Sequence, residues 1–211
     1  LTVTDVASGT NGNISLTTTS GDITGLATVN AGSGNVTLNS AGAIADDGST
    51  GTVVTGGVLT ADAAGAITID STVASADIST SAAGAVDLDE TDGITLTDLD
   101  TTDGSITVDA GGSIVATAVD SADAGSDETH AVILTASTGD VTIGAITSDS
   151  TLTIVATAGS INDAGDDTTT DLTSTTNAIV LTAQDEIGGN AAVMSTDTAG
   201  AIEVAANSAL D

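Results

Sequence analysis

Aliphatic and polar residues alternate with period two along almost the whole chain. The alternation takes a recurring form: a turn residue, a small or polar residue, Ile or Val, a polar residue, and a second aliphatic residue. It appears as Gly12-Asn13-Ile14-Ser15-Leu16, Gly34-Asn35-Val36-Thr37-Leu38 and Gly65-Ala66-Ile67-Thr68-Ile69. It returns as Gly84-Ala85-Val86-Asp87-Leu88, Gly104-Ser105-Ile106-Thr107-Val108, Gly139-Asp140-Val141-Thr142-Ile143 and Gly200-Ala201-Ile202-Glu203-Val204. Side chains on a strand point alternately to its two faces, so this pattern predicts short strands with one aliphatic and one polar face. Gly, Asn, Asp and Ser close each strand with turns. Helix is disfavoured by the β-branched residues and the scattered glycines.

The spacing of the strands predicts the architecture. Ile14, Val36, Val58, Ile78, Ile106, Val132, Leu152, Ile179 and Ile202 form one ladder with a mean step of roughly 23 residues, within the range of solenoid repeats. A second ladder, Ile23, Ile44, Ile67, Val86, Ile114, Val141, Ile161 and Ile187, follows the first by eight or nine residues. A looser third contains Val53, Val73, Leu99, Val119, Ile146, Leu172 and Val193. Three short strands per period describe a triangular coil, and stacking buries the three ladders in one inner column. The expected fold is therefore an all-β solenoid, a single elongated domain over residues 1–211. Its eight or nine coils, at about 4.8 Å each, give a rod of roughly 40 Å. A β-sandwich with many short strands is the alternative. The acidic stretches Ala116–Thr129 and Asp163–Thr176 are read as loops bulging from one corner.

Composition narrows the picture. The chain has no Phe, Tyr, Trp, Cys or Pro, so its core must be thin and aliphatic throughout. It has no Lys or Arg against 30 acidic residues, for a formal net charge of −30. Nucleic acid is excluded as a partner, because binding its backbone needs Lys or Arg to displace counterions. Anionic membranes are repelled, and no apolar run approaches membrane-spanning length. The charge opposes compaction, and bound cations or salt relieve it. No basic n-region or apolar h-region opens the chain at Leu1, which reads as a mature, processed or excised piece. Lacking Lys and Arg, it offers trypsin-like proteases no site, which suits an extracellular setting.

Several strings resemble a known group of proteins. Gly42-Ala43-Ile44-Ala45-Asp46, Gly159-Ser160-Ile161-Asn162-Asp163 and Leu181-Thr182-Ala183-Gln184-Asp185-Glu186-Ile187-Gly188 look like repeats of filamentous-haemagglutinin-type exoproteins and of giant bacterial β-strand-repeat surface proteins. The resemblance implies a right-handed parallel β-helix, secretion to the cell surface, and roles in adhesion, biofilm or surface filaments.

The acidic clusters are the candidate sites. Asp87, Asp89 and Asp92 form a D-x-D-x-x-D-G motif, echoed by Asp98, Asp100 and Asp103. Alternation places Asp87 and Asp89 on one outer face, roughly 7 Å apart. Calcium takes six to eight oxygens, often from Asp side chains and backbone carbonyls in a Gly turn. Asp163, Asp166 and Asp167, with Asp171, form a similar cluster, as do Asp46 with Asp47, and Asp120, Asp123, Asp127 and Glu128. Neither motif matches the EF-hand loop or the calcium-binding nonapeptide. Ca²⁺ is thus the one candidate cofactor, weighed against a solvated acidic surface with diffuse cations. His130, the only histidine, has Ser126 and Asp127 nearby but reads as a surface or loop residue. No enzyme is expected, since aromatic sugar platforms and cationic groups are both missing. The Asn13 and Asn35 glycosylation patterns fall where the repeat itself generates them.

Outward hydroxyls at Ser15, Thr37, Ser79, Thr107, Thr142 and Thr153 raise an ice-binding module as the alternative function. The preferred expectation is a structural component of an extracellular filament or adhesin stalk, with a calcium-dependent adhesin repeat as a variant. Its partners would be further copies of itself, stacked head to tail through open strand ends, and a cell-surface or matrix polymer. Joining Asp211 to a following Leu1 sets the next Ile14 about 23 residues after Ile202, the mean internal step.

Overall fold

The computed structural model describes residues 1–121, 129–165, 170–188 and 194–207, and the main chain of 209–210. Among these the chain is all β, and successive coils pair in parallel to build a solenoid of about eight turns. Each coil supplies three strand positions, here called faces I, II and III. Face I contains Val86–Glu90, Ile106–Ala110, Val132–Ala136, Leu152–Ala156, Ile179–Ala183 and Ile202–Ala206. Faces II and III are often one bent strand, such as Val141–Ser148. Its first half pairs with Ile161–Asp163 on face II and its second half with Leu172–Ser174 on face III. The β-sandwich alternative is not needed.

The core is a set of aliphatic columns. On face I, Ile23, Ile44, Ile67, Val86, Ile106, Val132, Leu152, Ile179 and Ile202 stack in register. Two residues on, Ile69, Leu88, Val108, Leu134, Ile154, Leu181 and Val204 form a second column. On face III, Leu16, Leu38, Ala61, Ile78, Leu99, Val119, Ile146 and Leu172 form another. The buried apolar side chains are Val, Ile, Leu and Ala. Without aromatics this core stays narrow, and three short walls around it suffice.

The phase of the columns differs from the mean spacing. Ile14 and Val36 do stack, but the next member is Leu59, not the half-buried Val58. Ile78 belongs to face III, while Ile106 to Ile202 belong to face I with Ile23, Ile44, Ile67 and Val86. Ile114, Val141, Ile161 and Ile187 form a face II column. After Val86 each of the first two sequence ladders therefore moves on by one face, the first from face III to face I and the second from face I to face II. The cause is unequal coil length: the face I step is about 20 residues from Ile67 to Val86 to Ile106, then about 26 to Val132. Leu99, Val119, Ile146 and Leu172 do share a column, whereas Val53 and Val73 lie outside it. Val193 lies outside the described residues. Ile14 and Ile202 are on different columns, so the spacing across a joined Asp211 and Leu1 carries nothing. The segment that continues the face I column at the first coil is Leu1 to Val3, through the Thr2–Thr24 bridge. The two expected loops are also shorter than the sequence suggested, since Ile114–Asp120 and Leu172–Ser174 are strand.

The corner from face III to face I is held by hydroxyls, buried at Ser40, Thr80 and Ser174 and half-buried at Thr18. Thr18, Ser40, Thr80 and Ser174 each donate to a carbonyl three or four residues on, Gly21, Ala43, Gly84 and Asn177, at 2.8, 2.9, 3.1 and 2.9 Å. These residues occupy inward positions where the chain turns, and a Val there would strand a carbonyl at a cost of about 1–3 kcal/mol. At the same corner a Cβ on Gly104 would stand only 2.2 Å from the Gly84 carbonyl oxygen of the coil below. Only glycine lets the two backbones approach so closely.

Leu134 is fully buried in mid-column, whereas Val204 is 41% exposed. Leu134→Ala is expected to cost about 2–5 kcal/mol in chemical denaturation. Val204→Ala is expected to cost well under half as much, and equal losses would contradict a continuous column ending at Val204.

Candidate functional site

In-register stacking also fixes the outer surface. Val86–Glu90 alternates buried and exposed, so Asp87 and Asp89 both face outward on face I, as their spacing predicted. Asp89 stands directly between Asp70 of one neighbouring coil and Asp109 of the other. These three carboxylates form a rank with the coil spacing of about 4.8 Å. Asp46 joins the same patch. Its neighbouring loop, residues 47–52, overhangs face I and leaves a cleft of about 420 Å³. Asp46, Asp70, Asp89, Glu90, Thr52 and Thr91 line this cleft. The Thr52 hydroxyl bonds those of Thr72 and Thr91, both at 2.8 Å, and ties the loop to two coils. Gly48 and Gly51, at φ 72° and 138°, let the loop turn back.

Glu90 differs from its neighbours because alternation turns it inward. It is 4% exposed and takes the column place held by Val54 and Ala110 in other coils. Ser71 donates to it at 2.5 Å and the Val73 amide at 3.1 Å. Burial raises its carboxyl above the usual range, and the Ser71 and Val73 hydrogen bonds oppose that shift. Burial followed by the charges of Asp109, Asp70 and Asp46 raises Asp87. Burial, then Asp70, Asp87, Asp109 and Asp46, raises Asp89.

The echo motif lies elsewhere. Asp98 and Asp100 are exposed on face III, where Asp98 stands beside Asp77 and Asp100 beside Asp120 and Ser79. Burial, then Asp98 and Asp62, raises Asp77. Asp92 is exposed in the turn after Val86–Glu90, and its amide donates to Glu90 at 3.4 Å. The two D-x-D-x-x-D-G strings are therefore on different walls and do not build a joint site. Asp163 points into the core on the column of Ala116 and Ile143, with one carboxylate oxygen buried without a hydrogen-bond partner. Asp166 and Asp167 lie outside the described residues, as do Asp123, Asp127, Glu128 and Ser126. Asp171 is buried and accepts from the Ser195 amide and hydroxyl. Among the described residues no three His, Cys, Asp or Glu side chains converge as a metal-holding group. The carboxylates on face I are spread along a line, one to each coil.

The outward hydroxyls do not form one rank either. Ser15 and Thr37 share a face III column that continues to Thr60 and Asp77, while Ser79 is on the next column with Asp62. Thr107 and Thr153 are on face I, separated by Ile133, and Thr142 is on face II.

His130 is not a surface residue. It is 9% exposed, with Nε2 2.9 Å from Asp103 and Nδ1 3.6 Å from Asp149. Its carbonyl accepts from Ser121, Ser148 and the Ser150 amide. Nothing in its sequence neighbourhood marks this, because Asp103 and Asp149 belong to the coils on either side.

Protein-family models, curated proteins and solved structures yield no match to this chain.

A carboxyl whose folded pKa lies above its unfolded one binds its proton more tightly in the folded chain. Its contribution to stability is fully present below the unfolded pKa and is lost as pH rises through the folded pKa. Asp77, Asp87, Asp89 and Glu90 all shift this way. The thermal midpoint is therefore expected to rise as pH falls from neutral through the raised folded values towards the unfolded ones at about 4. Asp89→Asn is expected to raise the midpoint at pH 7.5 by at most a few °C. A midpoint that falls over this range would contradict the crowding of carboxylates on face I.

Proposed function

We propose that this chain is a structural rod segment of an extracellular surface filament or adhesin stalk, extended by stacking of further copies on its open ends. The observation that carries the reading is the in-register run of the face I columns from Ile23 to Ile202, in which one parallel coil-to-coil contact repeats and each coil covers the aliphatic residues of the last. Each end presents strand edges whose backbone groups seek pairing. Covering such an end with another parallel coil would continue the hydrogen-bond ladder and bury the aliphatic column at once. A contact of this heterologous kind propagates without closing.

The role is structural rather than catalytic, and its partners are other copies and a surface or matrix polymer. The resemblance of its repeats to those of giant exoproteins supports an extracellular setting. The acidic walls would keep rods apart laterally, with calcium or other divalent cations bridging them.

Electron microscopy of the purified chain, with calcium and then with excess chelator, tests both parts. Filaments whose axial repeat is near 4.8 Å are expected, gathered into bundles when calcium is present. Ile202→Asp is expected to shorten or abolish them. Monodisperse short particles in every condition would overturn end stacking, and filaments indifferent to chelator would remove the divalent bridge.

A further inference from the structure

Asn11 is the one asparagine of the chain that is followed by glycine; each of the others precedes a residue with a side chain, as in Asn13-Ile14, Asn30-Ala31 and Asn35-Val36. Asn11 and Gly12 are both exposed, in the turn between Val6–Ala7 and Ile14–Thr17. Asn11 stands at φ 52°, a left-handed conformation that Asn tolerates better than most residues. Its side-chain oxygen accepts from the Ser33 amide of the next coil at 3.2 Å. Among the described residues neither its side-chain nitrogen nor the Gly12 amide donates a hydrogen bond.

We propose that Asn11 is a site of spontaneous deamidation through a cyclic imide. The Gly12 nitrogen attacks Asn11 Cγ, so that an N–Cγ bond forms and the Cγ–Nδ2 bond breaks. Ammonia leaves with the amide proton. Water then opens the imide at either carbonyl, giving aspartate or isoaspartate, with no oxidation or reduction. Three features converge on this step. Gly12 puts no Cβ in the path of its own nitrogen. Its amide is not committed to the coil-to-coil ladder. The Ser33 amide is aimed at the oxygen on which negative charge develops as the nitrogen adds. Asn13 supplies the contrast. Its side-chain oxygen accepts the Asn35 amide at 2.9 Å in the same way. The Ile14 amide that would have to attack is bonded to the Asn35 carbonyl at 2.9 Å and carries a β-branched side chain. Asn30 is held back likewise, because the Ala31 amide donates to Thr55 at 2.9 Å. Both products at Asn11 add a negative charge. Aspartate keeps an acceptor for Ser33, as Asp22 does for the Ala43 amide at 2.8 Å. Isoaspartate routes the main chain through the side-chain carbon and lengthens the turn.

The test incubates the folded chain at pH 8.5 and at pH 5.5 and follows the amide-to-acid exchange at each asparagine by mass mapping after peptic digestion. Exchange at Asn11 is expected to outrun that at Asn13 and Asn30 by roughly tenfold or more at pH 8.5. It is expected to slow at pH 5.5, since the attacking amide must lose its proton. Gly12→Ala is expected to suppress it. Gly12 needs no positive φ, and a Cβ there meets only the Ser8 side chain, at 3.5 Å, so this variant keeps the fold. Exchange at Asn11 no faster than at Asn13, or unchanged by Gly12→Ala, would overturn the proposal. So would exchange at Asn11 in the urea-unfolded chain and none in the folded one, because the fold would then protect the site.

Discussion

Every feature of this molecule follows from the parallel hydrogen bonds that join each coil to the next. The Ile67 amide donates to Ala85, that of Val86 to Ser105, and that of Ile106 to Ala131, each at 2.9 Å. This ladder places each side chain about 4.8 Å from its counterparts one coil away. Like then stacks on like. For Val, Ile and Leu this is favourable, because each layer covers the last and the core needs no large side chain. For corners it is restrictive, because neighbouring backbones meet, and at Gly84 and Gly104 they leave no room for a Cβ. The buried hydroxyls at Ser40, Thr101, Ser148 and Ser174 answer the same restriction, by satisfying carbonyls where the ladder turns.

The same rule makes the acidic surface costly. A carboxylate repeated at one position in consecutive coils meets its own charge, as Asp70, Asp89 and Asp109 do. The chain dilutes this cost further along. The outward column that carries Asp70, Asp89 and Asp109 continues as Thr135, Val155, Thr182 and Ala205. Charge in this column is thus confined to the earlier coils, and Glu203 is the acidic residue on the face I strand Ile202–Ala206.

Period two and the mean repeat were legible because they are local or averaged properties. Alternation alone put Asp87 and Asp89 outward, and it would have put Glu90 and Asp163 inward, since each follows Val86 or Ile161 by an even number of residues. Treating Asp163 as a loop ligand overlooked that signal. Column phase was harder to read, because each corner absorbs a different number of residues. The insertion at residues 47–52 and the longer step before Val132 shift the register without changing the motif. The Asp103–His130–Asp149 contact was hidden for the same reason. Its members are 27 and 19 residues apart and meet only once the coils are correctly phased.

Phase is therefore the sharpest test, and the absence of native cysteines makes it direct. Thr107 and Ile133 are outward neighbours on adjacent face I strands. Parallel neighbours stand about 4.8 Å apart, within disulfide reach. Ser79 lies on face III, although mean spacing would stack it under Thr107. The Thr107→Cys, Ile133→Cys double variant is expected to form an intrachain disulfide under mild oxidation, and Ser79→Cys with Thr107→Cys is not. Cross-linking of the second pair and not the first would contradict the stacked columns on which this account rests.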